Sequence, residues 1–353
     1  MYAATAQCAE CDSTKKNIRY EYIRAFATIA VIIIHTFNSA SLQYGEEAWL
    51  GQRVLCESIK NLTWWAVPCF LMLSGSLLLK RDRKIDLDKL YGKYILRMVG
   101  VLFTFGLAFA GVEIFFHFST LKVSDLVKGI SWVLSGKTWA HLWYVYCMIG
   151  IYVLLPVYKL IADHASNQKL IYILLILFVF GSLFPTLKMV GIQIGFYNHI
   201  STIYPFWFLV GVAHNRRLLR IKKKYLLFFL VGSSLALILA SSMACVYHVS
   251  LSELFGYNSL LVTIQSICVF ELFMYRSIKN NLLHKVLLQI ADKSFGIYLL
   301  HMVFINLVYK FLDVNPFDGL FIVNGIILVV INLALSYGGT WILKKIPLIN
   351  KIV

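Results

Sequence analysis

Residues Glu21 to Ser41 read EYIRAFATIAVIIIHTFNSAS, and this stretch decides the fold. After Glu21 and Arg24 it is apolar or small apart from His35, over the roughly 20 residues a helix needs to cross a hydrocarbon layer of about 30 Å. Working outward, nine further segments have the same character, so spans are expected at 22–41, 58–79, 95–117, 141–161, 169–187, 199–214, 225–246, 257–275, 290–311 and 319–343. The fold expected is all-α, a polytopic integral membrane helix bundle of about ten transmembrane helices. Composition agrees: of 353 residues 59% are hydrophobic and 14% charged, against roughly 45–50% and about 25% in soluble domains. An ordinary water-soluble enzyme is excluded. So is a disordered or collagenous chain, given 15% aromatic residues, 6 Pro and 21 Gly.

The net charge of +16 invites a nucleic-acid reading, but Lys and Arg stand in short clusters between apolar runs. The partner this implies is the lipid bilayer, with no nucleic acid. Clusters precede span one (Lys15, Lys16, Arg19) and follow span two (Lys80 to Lys89), span six (Arg216 to Lys224), span eight (Arg276, Lys279, Lys285) and span ten (Lys344, Lys345, Lys351). Alternating spans put all of these on one side. Of 33 Lys and Arg, only Arg53, Lys60, Lys122, Lys128, Lys137, Lys188 and Lys310 fall on the other. Because cytoplasmic loops collect basic residues, both termini are expected in the cytoplasm. The chain then divides into an N-terminal cytoplasmic tail 1–20, a transmembrane domain 21–345 and a C-terminal cytoplasmic tail 346–353.

Ionisable groups at membrane depth are costly and point to function. Arg24 and His35 are 11 residues apart on the first span, three helical turns plus about 20°, so both project from one face about 16 Å apart. A cation at the mouth with an imidazole farther along the same wall suits an anionic ligand that reaches inward. Histidine takes and returns protons near neutrality. The bland alternative has Arg24 snorkelling to headgroups and His35 bonding a neighbouring helix.

On span nine Ser294, Tyr298, His301 and Ile305 recur at i, i+4, i+7 and i+11 as one stripe. His141, Trp143 and Tyr144 put an imidazole beside aromatic rings at the outer end of span four, within a Trp and Tyr group that reads as an interfacial belt or as a sugar-stacking platform. Lys89, Lys93 and Arg97 form a cationic stripe running into span three, suited to stop-transfer or to phosphates. Glu113, Gln265, Asn332 and Glu271 are further intramembrane polar groups, Glu271 lying close to Arg276.

Seven Cys, mostly inside apolar runs, make no disulfide framework, and Cys8 and Cys11 supply at most two zinc ligands, so no metal is expected. No phosphate-binding, dinucleotide-binding, serine-hydrolase or metalloprotease motif is present.

At these residues the chain resembles the membrane acyltransferase 3 family. Glu21-x-x-Arg24 followed by ten residues and His35 is similar to the family's acidic-x-x-Arg start and R-x10-H motif, Glu21 standing where Asp is common. Val67-Pro68-Cys69-Phe70 through Ser74-Gly75, the basic start of span three, His141-Leu142-Trp143-Tyr144, and Ser294-Phe295-Gly296-Ile297-Tyr298-Leu299-Leu300-His301 follow in family order. No acidic residue is expected on spans nine and ten, where some members carry one. The resemblance implies a multi-pass enzyme of the bacterial inner membrane that uses cytoplasmic acetyl-CoA to O-acetylate a lipid-linked or surface glycan.

Carried onto this chain, Arg24, Lys89, Lys93 and Arg97 would hold the donor's phosphates. His35, with Glu21 and Arg24 on its helix, would act on the sugar hydroxyl or take the acetyl group itself. Ser294, Tyr298 or His301 would donate to the thioester oxygen, and His141, Trp143 and Tyr144 would meet the acceptor. Rival readings are an exporter of a small polar solute, a transferase of another acyl group such as succinyl, and a non-catalytic structural protein.

Overall fold

The computed structural model describes residues 17–118, 122–189, 191–192, 194, 202–275, 278 and 280–353. Cys8, Cys11, Lys15, Lys16, Arg276, Lys279, most of the expected tail 1–20 and the start of the expected span at 199 lie outside the described residues. Among the described residues the only regular elements are helices.

The first helix, α1 (Ile18–Tyr44), starts where the Asn17 side chain accepts the Arg19 amide and ends at Gly45. It is followed by α2 (Leu50–Asn61) and α3 (Ala66–Leu78), separated by one turn of chain. Asp86 then caps a helical turn at Leu87–Lys89, and the Lys89 amide holds its carboxyl below the usual carboxylate range. A π-helical stretch, Leu90–Ile95, leads into α4 (Leu96–Phe118) and α5 (Val123–Leu134). The expected fourth span breaks into α6 (Trp143–Val153) and α7 (Leu155–His164), bent by 55°. Pro156 explains the break, since its ring lacks an N–H and crowds the preceding turn.

Beyond it come α8 (Asn167–Phe178), capped by Ser166 and continued through a π-helical stretch, Val179–Leu183, and a helical turn, Phe184–Lys188, and then the short α9 (Tyr204–Asn215) with Pro205 in its first turn. The bundle is completed by α10 (Lys223–Tyr247), α11 (Leu260–Met274), α12 (Asn281–Phe311) and α13 (Phe321–Leu343).

Among the described residues seven helical stretches are long and apolar enough to span a membrane, or eight if the bent pair α6–α7 is one span. The two other expected spans are the shorter α9, of 12 residues, and α11, of 15. Apolar side chains cover the outside: Leu227, Phe228, Val231, Leu235 and Leu239 on α10, and Ile322, Val323, Ile326 and Val330 on α13, are exposed. Water would tolerate no such continuous apolar coat. Together with the span-length helices this makes the chain a multi-pass membrane protein.

Inside, α9 is sandwiched and almost wholly buried from Phe206 to Ala213. It crosses α3 with the backbones touching. A Cβ on Gly75 would lie 1.8 Å from the Phe208 carbonyl oxygen, and one on Gly211 would lie 2.2 Å from that of Met72. The Ser76 hydroxyl donates to the Gly211 carbonyl at 3.1 Å across the crossing. Small residues at such a contact are the usual device in membranes, where lipid tails give apolar surfaces little reason to associate.

The expected C-terminal tail is packed rather than free. Ile349–Ile352 forms a helical turn against α4, and Val353, 7% exposed, joins a core cluster with Val101, Leu102 and Leu299.

Candidate functional site

Helices α1, α3, α4, α6 and α12 enclose a cavity of about 430 Å³, within the range of small-molecule sites. Helical periodicity brings its walls together. On α1, Arg24, Thr28, Val31 and His35 recur at i, i+4, i+7 and i+11, and all four line it. On α12 the stripe Ser294, Tyr298 and His301 does the same, while Ile305 is buried beyond it. A third stripe, Tyr144, Met148 and Tyr152 at i, i+4 and i+8 on α6, lines it too, and of these the sequence reading includes Tyr144 alone.

One end of the cavity is charged. The Arg24 guanidinium donates to both carboxylate oxygens of Glu21, at 2.8 and 3.0 Å. Arg97 stands nearby, donating Nε–H to the Ile352 carbonyl at 3.1 Å and Nη2–H to that of Val353 at 3.2 Å. Asp292 lines this end as well, with Lys344 at 3.5 Å and Lys293 at 3.7 Å. It lies within the expected span nine, at its third residue, and corrects the expectation that spans nine and ten carry no acid.

The expected cationic stripe contributes only Arg97. Lys89 is exposed and pairs with Asp86 at 3.4 Å, and Lys93 is exposed; neither lines the cavity. Lys93 and Lys89 stand four and eight residues before Arg97, which carries them roughly 6 and 12 Å along the axis and past the mouth.

The other end is a group of imidazoles and aromatic rings. The ring of His35 lies 4.9 Å from that of His301, centroid to centroid, and His301 lies 5.2 Å from His141. His301 and His141 are buried, at 0% and 1% exposure, and His35 is only partly so. The Tyr298 hydroxyl donates to the His141 carbonyl at 2.5 Å, and His301 Nδ1–H donates to the Tyr298 carbonyl at 2.5 Å. Both assignments follow because a carbonyl oxygen only accepts.

These bonds revise two expected roles. The Tyr298 hydroxyl is already committed, and a neutral His301 has no second N–H to offer a thioester oxygen. Ser294 lines the cavity.

Trp143 and Tyr144 line the wall beside the imidazoles instead of facing lipid, packed with Tyr257, whose ring is 5.3 Å from that of Trp143. Tyr257 precedes α11 and carried no signal in its own stretch of sequence. The remaining intramembrane polar groups are structural. Asn332 donates to Thr36 Oγ1, Gln265 donates to Ser234, and Glu113 accepts from the Trp139 indole. Glu271 pairs with His214 at 2.7 Å.

Among the described residues no group of three or more His, Cys, Asp or Glu is arranged to hold a metal ion. What the cavity offers chemically is guanidinium at one end, an uncharged middle, and imidazole nitrogens without partners at the other. That suits a long ligand with an anionic head and a reactive tip.

A family model described as an acyltransferase domain matches residues 17–344. No curated protein and no solved structure matches the chain.

Proposed function

The chain belongs to the acyltransferase 3 family and is a membrane acyltransferase; from that premise we propose that it moves an acetyl group from acetyl-CoA to a hydroxyl of a surface or lipid-linked glycan. The observation that carries this reading is the single cavity joining Arg24 and Arg97 to His35. In the proposed orientation both termini of a ten-span bundle are cytoplasmic, so the guanidinium end opens inward, where acetyl-CoA is made, and the imidazole end faces outward in a bacterial inner membrane.

The residues fit the donor. Arg24 and Arg97 present planar, permanently charged forks that match phosphate oxygens. The neutral wall of Thr28, Val31 and Met148 accommodates the uncharged arm, and the roughly 16 Å from Arg24 to His35 along α1 sets the thioester beside the imidazole. His35 then takes the proton of the acceptor hydroxyl as its oxygen bonds to the acetyl carbon. The carbon–sulfur bond breaks, and the proton passes from His35 to the departing sulfur. Trp143, Tyr144 and Tyr257 form the wall that meets the acceptor.

The test is radiolabelled acetyl-CoA with purified protein in vesicles and a glycan acceptor, beside mass spectrometry of surface glycans from cells with and without the protein. Acetyl transfer should fall about 10²-fold or more in His35→Ala while acetyl-CoA still binds. Solute counterflow with no acyl donor present, or transfer from succinyl-CoA in preference to acetyl-CoA, would refute it.

A further inference from the structure

We propose that His301 is the positioning residue of the site: its Nε2 lone pair receives the inner N–H of His35 and so turns the other nitrogen of His35, as a lone pair, toward the substrate. The proposal rests on the reading of His35 as the reacting imidazole.

A general base is usually oriented by a third group, most often a carboxylate. Here the imidazole cluster has none, because the one imidazole–carboxylate pair among the described residues is His214 with Glu271. His35 itself makes no hydrogen bond to a described residue, so no other described residue selects its tautomer.

His301 is built for that task. Its Nδ1–H is committed to the Tyr298 carbonyl, which leaves Nε2 as an acceptor in the neutral ring. That nitrogen is buried without a partner. Of the aromatic rings around His301 the nearest is that of His35 on α1, at 4.9 Å between centroids and 54° between planes. An N–H···N bond of about 3 Å sets two imidazole centroids roughly 5 Å apart, so a turn of the His35 ring completes the bond with no backbone movement.

Burial orders the pair. His35 is partly accessible, whereas His301, on the same cavity wall, is 0% exposed, with His141 edge-on to it at 5.2 Å. His301 therefore acts through His35. It stays neutral throughout: the hydroxyl proton arrives on the outward nitrogen of His35 and leaves from there to sulfur, while both Nδ1–H of His301 and the His35–His301 bond persist.

Two measurements test this. In protein carrying ¹⁵N-labelled histidine, assigned by comparison with either His301→Leu or His301→Gln, the wild-type spectrum should show His301 protonated at Nδ1 and bare at Nε2, with or without substrate. In the transfer assay His301→Leu, which offers no acceptor, should lose about 10²-fold or more in kcat with acetyl-CoA affinity within about twofold. His301→Gln restores an acceptor oxygen and should recover at least a tenth of wild-type kcat.

A proton on His301 Nε2 in the wild-type spectrum overturns the proposal even if His301→Leu fails to fold. Equal kcat in the Leu and Gln variants overturns it too. If the wild-type protein neither binds acetyl-CoA nor transfers an acetyl group, the catalytic reading falls, an outcome distinct from a wrong tautomer.

Discussion

Replacing Gly75 by Ala puts a methyl group where α3 and α9 touch. The added carbon would stand 1.8 Å from the Phe208 carbonyl oxygen and 2.8 Å from its carbon, whereas carbon–oxygen contacts settle near 3.3 Å or beyond. The helices must part locally by about 1.5 Å. Overpacking of this kind costs about 1–3 kcal/mol, and stretching the 3.1 Å bond from Ser76 to the Gly211 carbonyl costs about 1 kcal/mol more. Ala returns up to about 1 kcal/mol through its better helix propensity. The net expectation is a loss of roughly 1–4 kcal/mol.

Gly232→Ala on α10 is the matched control, since a Cβ there meets nothing within 4 Å and the propensity gain stands alone. Thermal unfolding of the two variants in the same detergent should differ by about 5 °C or more, with Gly75→Ala the lower. Val67 and Phe70 ride on α3 and line the cavity, so acetyl-CoA binding should weaken in Gly75→Ala as well. If the two variants melt within a degree of each other, the backbone crossing does not hold the bundle as described.

Two further outcomes concern the charged end of the cavity. Glu21→Gln removes a carboxylate about 6 Å from where a phosphate on Arg24 would sit; at an effective dielectric of 20–80 that repulsion is about 0.7–2.8 kcal/mol, so calorimetry should find CoA bound about 3- to 100-fold more tightly. Weaker binding would show instead that Glu21 is needed to hold Arg24 in place. Arg97→Ala should weaken CoA binding about 10- to 100-fold, as loss of bonds to a charged group implies, and Lys89→Ala should change it less than about twofold because Lys89 stands exposed beside Asp86. Equal effects of the two variants would return the phosphate site to the exposed basic stretch.

What could be read before folding was whatever a single helix carries along one face. Arg24 and His35 share a wall because 11 residues is nearly a whole number of turns, and Ser294, Tyr298 and His301 share another for the same reason. The sequence hides what depends on meeting a distant element. Lys93 and Arg97 look equivalent in spacing, yet only Arg97 finds the cavity, because Ile352 and Val353 close around it from 255 and 256 residues away. Tyr257 belongs to no apolar stripe and reaches the site only because α11 brings it against Trp143. The roles of Tyr298 and His301 were misassigned because composition shows a donor without showing that its proton is already given to a carbonyl.

The partners of the two arginines also bear on which anions the cavity favours. Arg24 is neutralised by Glu21, Arg97 is bonded to two backbone carbonyls, and Asp292 is matched by Lys293 and Lys344. An incoming anion therefore exchanges partners instead of meeting bare charge, and what it gains is the difference between two sets of bonds. A lone chloride or acetate can displace one partner and gains little. A nucleotide with several linked phosphates engages Arg24 and Arg97 together, and its second contact forms at the high effective concentration set by the first. On the proposed reading, a mouth whose cations all have partners is thus a filter for ligands with more than one anionic group. Its selectivity should appear as poor competition by single phosphates against CoA, even at concentrations that screen surface charge.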